Sequence, residues 1–106
     1  MLIVKDSATL AGVAAIDTAV ASGVIRTYRS AGAHNPTGGT LTLTVHLVPA
    51  GGVADNSNRI INRAVPAGKT DLCPELVGRG LNAGGILQAG GAGLNFGYTA
   101  VDTITG

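Results

Sequence analysis

The chain has 106 residues, enough for one domain around one core. Charged residues make up 12% of it, about half the ~25% of an ordinary domain, and seven Lys and Arg against six Asp and Glu leave a formal charge of +1. Such a balance creates no field to attract nucleic acid or an anionic membrane, and no Trp, one Phe and two Tyr give no platform for stacking bases, so neither is an expected partner. A small surface this poor in charge is instead expected to be partly covered by protein subunits.

The start of the chain, residues 1–7 (MLIVKDS), lacks the basic region and long apolar run of a signal peptide, and no stretch approaches about 18 uninterrupted apolar residues. A soluble chain made in the cytoplasm is expected, with residues 1–7 as an arm that pairs with a neighbouring chain's sheet edge. Residues 8–23 (ATLAGVAAIDTAVASG) hold many alanines, which suit a helix. Thr9, Val13, Ile16, Thr18 and Val20 are β-branched, however, Gly12 interrupts and no capping box opens the segment. One or two strands are predicted, with a helix as the alternative.

In GVIRTYRS, residues 23–30, Val24, Arg26, Tyr28 and Ser30 fall on one face and Ile25, Thr27 and Arg29 on the other. The loop GAHNPTGG follows, its tip placed at Asn35-Pro36. TLTLTVHLV, residues 40–48, alternates strictly: Leu41, Leu43, Val45 and Leu47 face a core, while Thr40, Thr42, Thr44, His46 and Val48 face away. These two strands are expected to pair as a hairpin. Two near-identical corners come next, Val48-Pro49-Ala50-Gly51 and Val65-Pro66-Ala67-Gly68, each read as a type I turn with proline second and glycine fourth. Between them lie a polar loop (GVADNSN) and a short strand (RIINRAV) with Ile60 or Ile61 inward. KTDLC, PELVGRGL, GGILQAGG and LNFGYTAVDTIT continue the rhythm of short apolar runs punctuated by Gly and Pro, the pattern of an antiparallel sandwich or barrel.

Chemistry-bearing motifs fail on spacing or context. Gly68-Lys69-Thr70 ends like a phosphate-binding loop, but the required first glycine is Arg63 and Pro74 stands where the helix should run. The glycines 91, 93 and 97 miss a dinucleotide fingerprint by one residue and are read as a tight turn or close chain packing. His34 and His46 form no His-x-His pair for a cupin-type metal site and are read as surface residues, so no metal and no cofactor is expected. Ser57 has no Gly-x-Ser-x-Gly frame around it. Asp71 and Glu75, separated by Pro74, are read as solvated charges near a turn. Cys73 is alone, hence a buried inert thiol. No catalytic set emerges, and a non-enzymatic role is expected. Arg26, Arg29, Arg59, Arg63 and Arg79 carry most of the positive charge and are the candidate subunit-contact residues, because guanidinium groups pair bidentately with carboxylates and carbonyls at interfaces.

From about Gly23 to the end, the succession GVIRTYRSAG, TLTLTVHLVPAGG, NRIINRAVPAGKTDL and LNAGGILQAGGAGLNFGYTAVDT resembles small phage virion proteins with β-sandwich folds, of the capsid cement or decoration type. The resemblance is one of strands and corners over roughly three quarters of the chain, and it assigns no residue a role. It implies an all-β, antiparallel, jelly-roll-like sandwich spanning residues 1–106. It also implies a structural subunit on the capsid exterior that binds the major capsid protein and itself, as a homotrimer or homodimer. The alternative is a neck, tail or fibre module that recognises a host glycan or receptor, for which Tyr28, Phe96 and Tyr98 are the available rings.

Overall fold

The structure, a computed structural model, describes residues 2–104, with side chains from Ser7 onward. Among the described residues nine strands follow in order: β1 (Leu2–Thr9), β2 (Ala14–Ala15), β3 (Val24–His34), β4 (Leu41–Val48), β5 (Arg59–Val65), β6 (Thr70–Asp71), β7 (Gly80–Leu81), β8 (Ile86–Gly90) and β9 (Asn95–Ile104). They form two antiparallel sheets, one ordered β1-β9-β3-β6 with β7 also on β3, the other ordered β2-β8-β4-β5. Since β9 runs along one edge of β3, β6 and β7 share the other, β6 opposite Ala33 and His34 and β7 opposite Arg26 and Thr27. Taken together, β6 and β7 fill a single strand position interrupted by residues 72–79. The chain is then a long hairpin of nested pairs, β1 with β9, β2 with β8, β3 with β6 and β7, and β4 with β5, folded over into a sandwich. That is the eight-position jelly roll.

Side-chain alternation explains which face of each strand is buried. In β4, Leu43 and Val45 are fully buried and Leu41 and Leu47 pack against the same core. In β9, Phe96, Tyr98 and Ala100 face inward, and in β3 the inward set is Arg26 and Tyr28, then Ala31 and Ala33. The change of parity comes from a bulge between Tyr28 and Ser30, which inserts Arg29 as an extra residue and turns Ser30 outward beside Thr99. Ile61 of β5 is buried, while Ile60 is only half-buried.

Several expectations are corrected. The region 8–23 contains no helix: β1 runs through Thr9 and only Ala14–Ala15 pairs again, on β8. Residues 2–7 are not an arm onto another chain but belong to β1, paired residue for residue with β9; Met1 lies outside the described residues. β3 and β4 do not form a hairpin, because they lie in different sheets and the loop between them crosses the sandwich. Asn35 is not a loop tip. It is fully buried, donating from Nδ2 to the carbonyls of Gly39 (2.7 Å) and Val65 (2.8 Å) and accepting at Oδ1 from the Thr37 amide (2.9 Å) and hydroxyl (2.6 Å). Its backbone also bonds Lys69 and Gly68, so the Gly-Lys-Thr corner is a strand connection strapped to Asn35.

Both Pro-Ala-Gly corners turn one residue later than expected. The hydrogen bonds run from the Gly52 amide to the Pro49 carbonyl and from the Lys69 amide to the Pro66 carbonyl. Proline is therefore first and glycine third, at φ +73° for Gly51 and +71° for Gly68, the positive φ that the third place of a type II turn requires.

Candidate functional site

The five arginines divide into two kinds. Arg26, on the inward face of β3, is 7% exposed and meets Asp102 of β9 in a two-pronged pair, Nε to Oδ1 at 2.7 Å and Nη2 to Oδ2 at 2.9 Å. Its Nη1 reaches Asp17, in the connection from β2 to β3, at 2.5 Å. The Tyr98 hydroxyl donates to the same Asp17 carboxylate. Hydrogen bonding from Arg26 holds Asp102 below the usual carboxylate range, and the pair with Asp102 raises the guanidinium above its ordinary value. Burial, then the bond to Asp17, pushes the Tyr98 phenol up. Tyr28 packs edge-on against Tyr98, with ring centroids 5.5 Å apart, and its buried hydroxyl lacks a hydrogen-bond partner among the described residues.

Arg63 closes the opposite flank. It stands on β5 opposite Leu43, on the core-facing side of an edge strand, and spans the gap between the sheets. Nε and Nη2 bond both carboxylate oxygens of Asp71 on β6, at 2.6 and 2.8 Å, and Nη1 and Nη2 bond Glu75 at 2.5 and 3.0 Å. Asp71 is thus clamped rather than solvated, Glu75 is clamped while still 36% exposed, and Arg63 holds both carboxyls below their ordinary range. Asp71 also accepts the Cys73 amide at 2.8 Å, which fixes Cys73 in the left-handed region at φ 48°. The thiol is fully buried, and burial pushes it up to about 12, so it is the inert sulfur expected. Inward-pointing charge at the flank of a sandwich also discourages edge-to-edge pairing with other sheets.

Arg29, Arg59 and Arg79 are exposed, and among the described residues none of their guanidinium groups has a partner. The sequence put all five arginines in one class. The signal separating them was parity: Arg26 and Arg63 share the faces of Tyr28 and Ile61, both core residues.

This division changes the meaning of the net charge. Each cluster, the buried one at Arg26 and the half-exposed one at Arg63, holds one guanidinium and two carboxylates, so each is −1. Of the remaining charged groups whose side chains are described, Arg29, Arg59, Lys69 and Arg79 stand against Asp55, a balance of +3 outside the clusters. Asp55 is itself held low by the Ser57 hydroxyl and amide.

The histidines sit on opposite outer faces of the sandwich, so they cannot share a ligand. His34 is exposed on β3, its Nδ1 2.8 Å from the Thr70 hydroxyl. His46 was expected on the surface of β4 and is only 6% exposed. The loop 53–58 folds over it, and Nδ1 lies 2.9 Å from Asn58 Oδ1 and 3.1 Å from the Asp55 carbonyl. Val48, two residues along, is buried outside the main core. Ser57 is spent on Asp55 within this loop. Among the described residues no three His, Cys, Asp or Glu cluster in a way that could hold a metal ion. All three aromatic rings, Tyr28, Phe96 and Tyr98, are buried.

The glycine-rich stretch 90–94 is close packing, as expected. A Cβ on Gly90 would lie 2.7 Å from Val13 Cγ2 and 2.9 Å from its amide nitrogen, and one on Gly91, at φ +139°, 2.7 Å from the Thr42 carbonyl. What remains outside is the outer face of the β1-β9-β3 sheet: Ser7, Gly97 and Gly32 form one cross-strand row, Thr99 and Ser30 part of the next. Among the residues with described side chains, these rows are small and uncharged, and a shallow depression of about 550 Å³ runs over them.

Fold and site together define a jelly roll in which Arg63 ties β5 of one sheet to β6 of the other, while Arg26 pairs with Asp102 within its own sheet and holds Asp17 of the β2–β3 connection. No family model, curated protein or solved structure matches the chain.

Proposed function

We propose that the chain is a structural virion subunit of the cement or decoration type, which binds the outside of a phage head, associates with itself and bridges major capsid protein subunits. Jelly rolls recur in viral shells, in lectins and in cupins. The cupin reading loses its ligands, because the two histidines lie on opposite faces. The lectin reading loses its sugar platform, because Tyr28, Phe96 and Tyr98 are all inside the core. The observation that carries the structural reading is the shallow depression lined mostly by Ser, Thr and Gly on the outer face of the β1-β9-β3 sheet, on a frame whose two inward arginines are both held in ion pairs. Three strands of about ten residues give this face roughly 480 Å², a little over half of the roughly 800 Å² each partner contributes to a standard interface. Repetition over a symmetric lattice multiplies a modest contact by multivalency.

The test is the copy number of this chain per purified particle from its source, by quantitative mass spectrometry against the major shell protein. A count comparable to the shell subunit supports the cement role. A few to a few dozen copies moves the chain to the neck, tail or fibre, and absence from particles overturns the virion reading.

A further inference from the structure

Beside the corner at Pro49 runs a cleft of about 530 Å³, between the end of β4 and the segment that forms and follows β7. Its floor is apolar: Leu47 packs against the core and Leu81 is buried. One end is closed where the turn at residues 82–85 meets the first Pro-Ala-Gly corner. The approach there is so close that a Cβ on Gly84, at φ +83°, would lie 2.7 Å from the Ala50 Cβ. Both turns are hydrogen-bonded, Gly52 to Pro49 and Gly85 to Asn82, so the walls are held by backbone rather than by mobile side chains.

Two polar side chains line this apolar trough, Arg79 and Asn82, and both are exposed. Among the described residues neither side chain has a partner, and no carboxylate lines the cleft. Arg79 is held by its backbone: its carbonyl accepts the Tyr28 amide at 2.8 Å and its amide donates to the Leu76 carbonyl at 3.0 Å. The side chain therefore projects from a fixed point. The molecule elsewhere gives each inward arginine two carboxylates, whereas this one has none, and it belongs to the +3 outside the two clusters.

We propose that the cleft binds an acidic peptide segment of a partner protein, in which a Glu or Asp carboxylate is held by the Arg79 fork and the Asn82 amide while a neighbouring aliphatic side chain lies on Leu47 and Leu81. The complement of an unpaired guanidinium over an apolar floor is a carboxylate beside an aliphatic group, since a planar fork pairs with it bidentately and the floor rewards the apolar neighbour. The partner's identity as a shell protein rests on the virion reading above; the chemistry of the cleft does not.

The test titrates the ¹⁵N-labelled full chain with the capped peptide Ac-Ala-Leu-Glu-Leu-Ala-NH₂ and with its Gln counterpart in low salt. Saturable shifts are expected at the amides of Gly80, Leu81, Asn82 and Gly85, with the Gln peptide binding roughly fivefold more weakly. Arg79→Gln should weaken the Glu peptide to the same degree. Arg59→Gln, which removes an exposed arginine outside the cleft, should leave it unchanged. Equal binding of the two peptides, shifts confined to other regions, or indifference to Arg79→Gln would overturn the proposal, and the variant's own spectrum reports whether it is folded. A second arm separates this from the virion reading by incubating wild-type and Arg79→Gln chains with source particles stripped of the protein. If both attach equally, the cleft is not the docking site and the virion reading stands. If neither attaches while the peptide result holds, the cleft stands and the virion reading falls.

Discussion

Replacing Arg26 by Met keeps a long apolar stem and removes the charge, leaving Asp102 without its two-pronged partner and Asp17 with only the Tyr98 hydroxyl and the Thr18 amide. The Asp17 and Asp102 side chains are only 14% and 15% exposed, so water restores little of the lost solvation. Breaking a buried pair by removing one partner costs about 3–5 kcal/mol, and here one partner serves two carboxylates. For a domain of this size a loss of that magnitude lowers Tm by roughly 15–30 °C. The pH dependence is a sharper test than the size. In the wild type the depressed Asp102 contributes stability that is present above the unfolded value of about 3.9 and is lost as pH falls through the lower folded value. In the variant Asp102 loses the guanidinium that holds it low, burial then favours its protonated form over that of the unfolded chain, and the variant regains stability as pH falls. Urea unfolding at pH 7 and pH 4 should therefore show a larger deficit at pH 7. A deficit below 1 kcal/mol at pH 7, or one equal at the two pH values, would refute the reasoning.

Other substitutions probe the packing. Tyr28→Phe removes a buried hydroxyl that has no partner among the described residues, and is expected to leave urea stability unchanged or raised by up to about 1 kcal/mol; a loss above 1 kcal/mol would mean the hydroxyl is bonded after all. Gly84→Ala combines an unfavourable φ with a Cβ driven into Ala50, and should cost about 2 kcal/mol in the same assay, with amide shifts spreading to the Pro49 corner. Cys73, buried and with its thiol pushed up to about 12, should resist iodoacetamide at pH 8 in the folded chain and react within minutes in urea; labelling of the native chain at the unfolded rate would contradict its placement.

Periodicity in the sequence carried the strands well and their partners poorly. Alternating Leu and Thr in residues 40–48 is enough to specify a strand with a buried face, because side chains of successive residues must point opposite ways. It does not say which sheet receives the strand. Residues 24–30 and 40–48 look like a hairpin by separation alone, but in a nested roll β3 pairs with β9, which is distant in sequence. The parity of β3 was legible as far as Tyr28, and the bulge at Arg29 then reversed it; nothing in Tyr-Arg-Ser announces an extra residue. His46 is the same lesson from a loop. Its strand position faces outward as expected, yet burial depended on the residues around Asp55 and Asn58 folding back over it.

The arginines show how the same kind of information, used once more, would have narrowed the candidate site. Arg26 and Arg63 each occupy an inward position, and a guanidinium on a core-facing position is affordable only if carboxylates are delivered to it. Four of the chain's six acidic residues serve that purpose, Asp17, Asp71, Glu75 and Asp102. Low total charge thus conceals a separation: four carboxylates are paired with Arg26 and Arg63, while the exposed Arg29, Arg59 and Arg79 have no carboxylate partner among the described residues. A near-neutral formula does not make an evenly neutral surface, since Arg29, Arg59 and Arg79 stand exposed and, among the described residues, without carboxylate partners.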